Sequence, residues 1–149
     1  MSDREYRIRD VMSAPVVTIQ STAALVDAAV LLRGNLIRHL PVLAGGKLVG
    51  LLSDRDIQCF TPSRLIPINE ETYNSLFADT AVERVMTRAP QTVSSGEPLL
   101  AATTLMQQAR CGCLPVVDDG ELVGIITRGD LLDALQRLLQ GKSAARTEL

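Results

Sequence analysis

An α+β fold, a two-layer arrangement of two tandem β-α-β-β-α motifs, is predicted by three features of this chain. They are a duplicated sequence, a pair of glycine-turn hairpins, and a helix signal on each side of every hairpin. Shifting the chain by 74 residues lays Val11–Ile57 on Val85–Leu131 without a gap, and 15 of the 47 positions are identical. Met12 meets Met86, Thr18 meets Thr92, Leu25 meets Leu99, Pro41 meets Pro115, Gly50 meets Gly124 and Asp56 meets Asp130. A fixed internal period marks a structural unit that is used more than once.

Each copy opens on a short β-prone run, "VVTI" at Val16–Ile19 and "QTV" at Gln91–Val93. Ser21 or Thr22 then offers an N-cap to a helix over roughly Ala23–Arg33, which Gly34 and Asn35 stop. In the second copy Ser95 and Gly96, with Pro98 in the first turn, open the matching helix to about Arg110. A strand pair follows: "HLPVL", a turn through Gly45 and Gly46, then "KLVGLLS", repeated as "CLPVV", "DDG" and "ELVGIIT". A second helix starts directly after Ser53 and Thr127. The copies occupy about 1–60 and 81–140 and are joined by a linker at 61–80. Its two prolines and mixed polarity read as irregular chain, with a short helix near Glu70–Phe77. Residues 141–149 read as a frayed tail.

The helix over Thr22–Arg33 is apolar nearly all round, with Asp27 the exception, so it predicts cover on two sides. Its own sheet supplies one. A second subunit, making a homodimer, and the partner repeat are the two candidates for the other.

Length and composition bound the function. A chain of 149 residues with 46% hydrophobic content buries a real core. A net charge of -2 gives no field to gather phosphate backbones or anionic lipid, and 3% aromatic residues leave no base-stacking platform, so nucleic acid is not an expected partner. "MSDREYRIRDVM" is charged where an export signal is apolar, and "AALVDAAVLL" is far too short to span a bilayer. With three cysteines, an odd number, the expected setting is the reducing cytoplasm, with no membrane association. Cys111 and Cys113 lie one residue apart, which does not fit the spacing of a structural zinc site, and no metal is expected. No phosphate-binding glycine loop, dinucleotide fingerprint or metalloprotease motif occurs, and the single His39 has no nucleophile to pair with. The chain is read as non-catalytic.

The chemistry-bearing stretches are "GLLSDRD" at Gly50–Asp56 and "GIITRGD" at Gly124–Asp130. In each, a strand ends on a hydroxyl residue and a carboxylate follows three positions later. Ser53 with Asp56 and Thr127 with Asp130 suit a capping box. The same carboxylates suit a ligand with two adjacent hydroxyls, such as a ribose. Both uses remain open on residue chemistry alone.

The order "IRHLPV", hairpin, "GLLSDRD", repeated as "GCLPVV", hairpin, "GIITRGD", resembles the CBS motif, the cystathionine-β-synthase-type domain. Two copies in one chain resemble a stand-alone CBS pair, or Bateman module, similar to small bacterial CBS proteins of the acetoin-utilisation type. The likeness runs from roughly Arg9 to Arg137. It implies motifs packed with pseudo-two-fold symmetry through their sheets, and an adenosine-containing ligand such as AMP, ADP, ATP or an S-adenosyl compound, with no cofactor required. Asp56 and Asp130 would hold ribose hydroxyls, assisted by Ser53 and Thr127. Thr18, Ile19, Thr92 and Val93 would line the adenine, and Leu40, Pro41, Leu114 and Pro115 would form apolar walls. Arg38 and His39 would face the phosphates; the second copy has Gly112 and Cys113 there, which leaves Arg128 as the substitute cation. The expectation is therefore two unequal sites, the first copy the better binder. With no effector domain in the chain, the signal is expected to pass to a regulated protein in trans. The alternative is a dimerisation or interaction scaffold that binds no nucleotide.

Overall fold

The computed structural model describes residues 5–61 and 67–146. In chain order, the first half contains α1 (Ile8–Val11), β1 (Ile19–Gln20), α2 (Leu25–Gly34), β2 (His39–Ala44), β3 (Lys47–Ser53) and α3 (Asp54–Phe60). The second contains α4 (Glu70–Asp79), β4 (Thr87–Arg88), α5 (Leu99–Ala109), β5 (Cys113–Asp118), β6 (Glu121–Thr127) and α6 (Arg128–Leu139). The mixed α+β class expected from the repeat is the one observed.

The chain folds as two compact units. One is contiguous, 17–90, and the other is split, drawing on the described residues 5–16 and 91–146. In the contiguous unit the sheet order is β1-β2-β3-β4, with β1 parallel to β2 and the other neighbours antiparallel. The split unit keeps the same order around β5 and β6. Val93 bridges to Val116 in parallel and Ser13 bridges to Ile125 antiparallel, each as a single bridge rather than a full strand.

The hairpins form where the turn residues dictate. Gly45 and Gly46 (φ 55 and 76) and Asp119 and Gly120 (φ 50 and 80) hold positive φ at both central positions, the two-residue turn whose twist matches that of its strands. A bulge follows at the same point in both hairpins, after Val42 and after Val116. It leaves Val49 and Val123 outside the ladder.

Each unit has its own core. Leu25, Ala28, Leu32, Leu40, Val42, Leu52 and Val82 are fully or almost fully buried in the contiguous unit, and Ile8, Val11, Ala102, Leu114, Val116 and Ile126 in the split one. Ile8 and Val82 correspond across the 74-residue shift, and each lies in the core built by the other copy's hairpin. The lead-in to each repeat has therefore been exchanged.

That exchange corrects the expected helix caps. The structure starts α2 at Leu25 with Ala24 as a cap that offers no side-chain bond, and neither Ser21 nor Thr22 serves. The reason is that the Leu25 amide donates to the Thr80 carbonyl at 2.9 Å, so the incoming lead segment supplies the acceptor a side-chain cap would have given. The Leu99 amide likewise donates to the Tyr6 carbonyl at 2.8 Å, and Pro98 stands at the cap position rather than in the first turn. α2 does stop at Gly34, with Asn35 as its C-cap, and Leu36 just beyond it and Arg110 at the end of α5 occupy equivalent left-handed positions (φ 53 and 52).

The linker carries α4, longer than expected, packed against α2. Phe77 in it meets Phe60 edge-on at 6.5 Å and Tyr73 at 5.1 Å. Of the irregular linker prediction, 67–69 is irregular chain leading into α4, and 62–66 lies outside the described residues. The expected fraying after residue 140 is not found as far as Arg146. Ala144 is buried, its amide donates to Tyr6 Oη at 3.2 Å, and the Arg146 amide donates to the Asp10 carbonyl at 2.9 Å. A polar, small-residue composition suggested a solvated end; the lead-in segment of α1 supplies partners that the composition does not reveal.

Candidate functional site

The two hydroxyl-carboxylate pairs sit where strand hands over to helix. In the contiguous unit β3 ends at Ser53, the N-cap of α3. The Asp56 amide donates to Ser53 Oγ at 3.0 Å and the Ser53 amide donates to Asp56 Oδ2 at 2.8 Å, a closed capping box. Asp56 is half-buried, and its Oδ1 has no hydrogen-bond partner among the described residues. His39 lies across the strand pair from Ser53, and the Asp54 amide donates to the Arg38 carbonyl at 3.0 Å. The register thus brings Arg38, His39, Ser53 and Asp56 to one end of the hairpin. Arg38 is exposed and His39 half-buried.

The split unit repeats the box. The Thr127 amide donates to Asp130 Oδ2 at 2.8 Å, Thr127 Oγ1 donates to the same oxygen at 3.1 Å, and the Asp130 amide donates to Thr127 Oγ1 at 3.2 Å. Beyond the box the copies diverge. Asp130 Oδ1 accepts from Ser13 Oγ at 3.0 Å and from the Arg146 guanidinium, and Asp130 is only 6% exposed. Neither partner was foreseen. Ser13 aligns with Thr87 as a hydroxyl pair, which was a usable signal, whereas Arg146 has no counterpart in a repeat.

Arg38 and Gly112 are equivalent, as are Asp54 and Arg128. The Arg128 amide donates to the Gly112 carbonyl at 3.0 Å, and the Arg128 side chain runs within 3.7 Å of the point a Cβ would occupy on Gly112. The cation has moved from one strand of the hairpin end to the start of the helix, and its side chain lies against Gly112 at ordinary van der Waals distance.

The remaining predicted residues are placed as follows. Ile19 in β1 pairs with Val42 and Val93 bridges to Val116, both buried, and Thr18 and Thr92 immediately precede them, half-buried and exposed respectively. Leu40 and Leu114 belong to the two cores, and Pro41 and Pro115 beside them are fully buried. The structure therefore gathers the hydroxyl-carboxylate pairs with the residues at position 38 or 112, and holds the leucines and prolines in the interior.

Cys113, across from Thr127 in the hairpin, is buried. Desolvation, reinforced by Cys111 and Asp130, drives its thiol well above the ordinary cysteine range. It stands as an apolar packing residue, whereas Cys59 is exposed. Among the described residues no cluster of His, Cys, Asp or Glu could hold a metal, and no helix is long and apolar enough to cross a membrane.

What this arrangement can do chemically is accept hydrogen bonds. A carboxylate with one oxygen locked in a cap and the other open receives donors from a neighbouring diol without having to reorient.

Comparison with known proteins adds a family. The CBS domain model matches twice, at residues 8–58 and 82–137. Among solved structures, a Vibrio cholerae protein assigned to acetoin utilization (AcuB) is 30% identical with a TM-score of 0.75, covering 92% of this chain and 95% of its own. The CBS domain pair of protein MJ0100, solved with 5-methylthioadenosine and S-adenosyl-L-methionine, is 29% identical with a TM-score of 0.71 and covers 93% and 98%. CBSX2, solved with AMP, is 28% identical with a TM-score of 0.75 and covers 89% and 98%.

Proposed function

The chain belongs to the CBS domain family, and from that premise we propose that it is a non-catalytic regulatory module that binds an adenosine-containing ligand through Asp56 and reports its occupancy to another protein in trans. The observation that carries the reading is that Asp56 Oδ1 has no hydrogen-bond partner among the described residues, at the end of the hairpin that also holds Arg38 and His39. The ribose diol donates to Asp56, and the two basic residues face the phosphates of AMP, ADP or ATP. The ligands solved with MJ0100 and CBSX2 support an adenosine as the shared part.

Titration of AMP, ADP, ATP and S-adenosylmethionine against the melting temperature tests this. A ligand at about 100 times its dissociation constant adds about 2.7 kcal/mol, which for a chain of this size raises the melt by roughly 5–11 °C. Asp56→Asn abolishes that rise.

A second reading, an interaction scaffold without nucleotide, is favoured by the capping boxes, which give both carboxylates a structural task of their own. It stands if none of the four ligands moves the melt. Under either reading we place the protein in the cytoplasm as a homodimer. Val26 and Val30 on α2, with Leu132, Leu135 and Leu139 on α6, are exposed in the single chain and sit at helical spacing that a partner face can cover. Light scattering on a gel-filtration peak distinguishes a dimer from a monomer.

A further inference from the structure

The duplication gives Asp56 and Asp130 the same backbone setting and different company. Asp56 Oδ1 has no hydrogen-bond partner among the described residues, while Asp130 Oδ1 accepts from Ser13 Oγ and from Arg146. Arg146 is held in place independently of that contact. Its amide donates to the Asp10 carbonyl at 2.9 Å and its Nε donates to the Val11 carbonyl at 2.9 Å. The preceding residues are fixed as well, by the burial of Ala144 and by Arg137 Nη1 donating to the Ala145 carbonyl at 2.7 Å. Among the described residues the first copy shows no equivalent contact, and the 74-residue shift lays Arg146 on Thr72 in α4.

We propose that the segment Gly141–Arg146 is a built-in competitor for ligand hydroxyls at Asp130. It closes the second-repeat site in the free protein and yields it only when a ribose diol replaces the guanidinium. The proposal rests on the reading of these carboxylates as ribose anchors and concerns how one of them is regulated. A guanidinium offers paired N–H donors to a carboxylate much as a diol offers paired O–H donors, so the two cannot be satisfied together by one oxygen already shared with Ser13. Because Arg146 is tethered and pre-positioned, its effective concentration at Asp130 is far above that of any free ligand. The protein therefore has one site that is ready and one that is latched.

Calorimetric titration of AMP against the wild type, Arg146→Gln, Asp56→Asn and the double variant tests this. The wild type binds one AMP per chain, Arg146→Gln binds two, Asp56→Asn binds none at the concentrations that saturate wild type, and the double variant regains one. Loss of one charge-assisted contact corresponds to a gain of about 10-fold or more in affinity at the second site. A wild type that binds once, with Arg146→Gln binding once at unchanged affinity, overturns the latch and leaves the Asp56 reading intact. If neither protein binds AMP, the anchor reading and the latch fall together. Circular dichroism establishes that each variant is folded. Hydrogen exchange on unmutated protein gives an independent arm: the peptide bearing Gly141–Arg146 exchanges faster when AMP is raised far above the level that fills the first site. Unchanged exchange while a second AMP binds overturns the proposal.

Discussion

Met12 Sδ stands 2.5 Å from the point where a Cβ would sit on Gly124, so the lead-in to the first repeat fills the space over the second repeat's hairpin. Met86 is in the same relation to Gly50, closer still. The two glycines are kept by contact, for neither has a positive φ. Gly124→Ala must push the methionine aside and is expected to cost about 1–3 kcal/mol. Thermal unfolding of Gly124→Ala and of the double variant Met12→Ala/Gly124→Ala checks it: the pair is expected to be less destabilised than the sum of the single changes.

Ser53 and Asp56 share one capping box but are expected to respond differently to ligand. Ser53→Ala removes the oxygen that accepts from the Asp56 amide and costs about 1 kcal/mol of stability whether or not AMP is present. Asp56→Asn keeps the side-chain size and removes the charge, so it suppresses the AMP-induced rise in melting temperature. Equal suppression by both variants would show that the box as a whole, rather than the open carboxylate oxygen, governs binding.

Asp118 accepts from Ser95 Oγ at 2.5 Å and from the Ser95 amide at 2.9 Å. These bonds hold its carboxyl below the ordinary carboxylate range, opposed by desolvation and helped by Arg9. A depressed folded-state pKa gives stability that is complete above the unfolded value of about 3.9 and is lost as pH falls through the lower folded value. Ser95→Ala should therefore be less stable than wild type by a constant margin from about pH 7 to about pH 5, and the margin should narrow below about pH 4. Melting curves across that range decide it; a margin constant down to about pH 3 counts against the assignment.

Arg110 ends α5 in the left-handed region at φ 52. A side chain there costs roughly 1–2 kcal/mol that glycine avoids, offset in part by the extra freedom glycine has when unfolded. Arg110→Gly is expected to stabilise the protein by about 0.5–1 kcal/mol. Denaturant unfolding reads the gain as a higher midpoint with an unchanged slope.

The contrast between what sequence pattern conveyed and what it did not follows the range of the interaction. Gly45-Gly46 and Asp119-Gly120 encode their turns within two residues, and Ser53 with Asp56 encodes a cap within four, so the hairpins and the helices after them stand where expected. The starts of α2 and α5 are not legible in the sequence because their acceptors, the Thr80 and Tyr6 carbonyls, lie far along the chain and carry no side-chain signature. The sequence places Arg146 in a solvated end for a related reason. Nothing near it in sequence says that Val11 and Asp130 are its partners. The duplication predicts what the copies have in common, and it is silent on the Arg146 contact, which lies outside the repeat.

The interleaved course of the chain also sets an order of assembly. Residues 17–90 contain everything the contiguous unit needs, while the split unit needs 5–16 together with 91–146. On a ribosome, the first of these can close while the rest is still being made. The opening residues, with Ile8 and Val11 bare, must wait for β5 and β6 to emerge before they find their core. Until those strands arrive, Ile8 and Val11 stay exposed among charged neighbours, and Asp130 cannot meet Arg146 before α6 is complete.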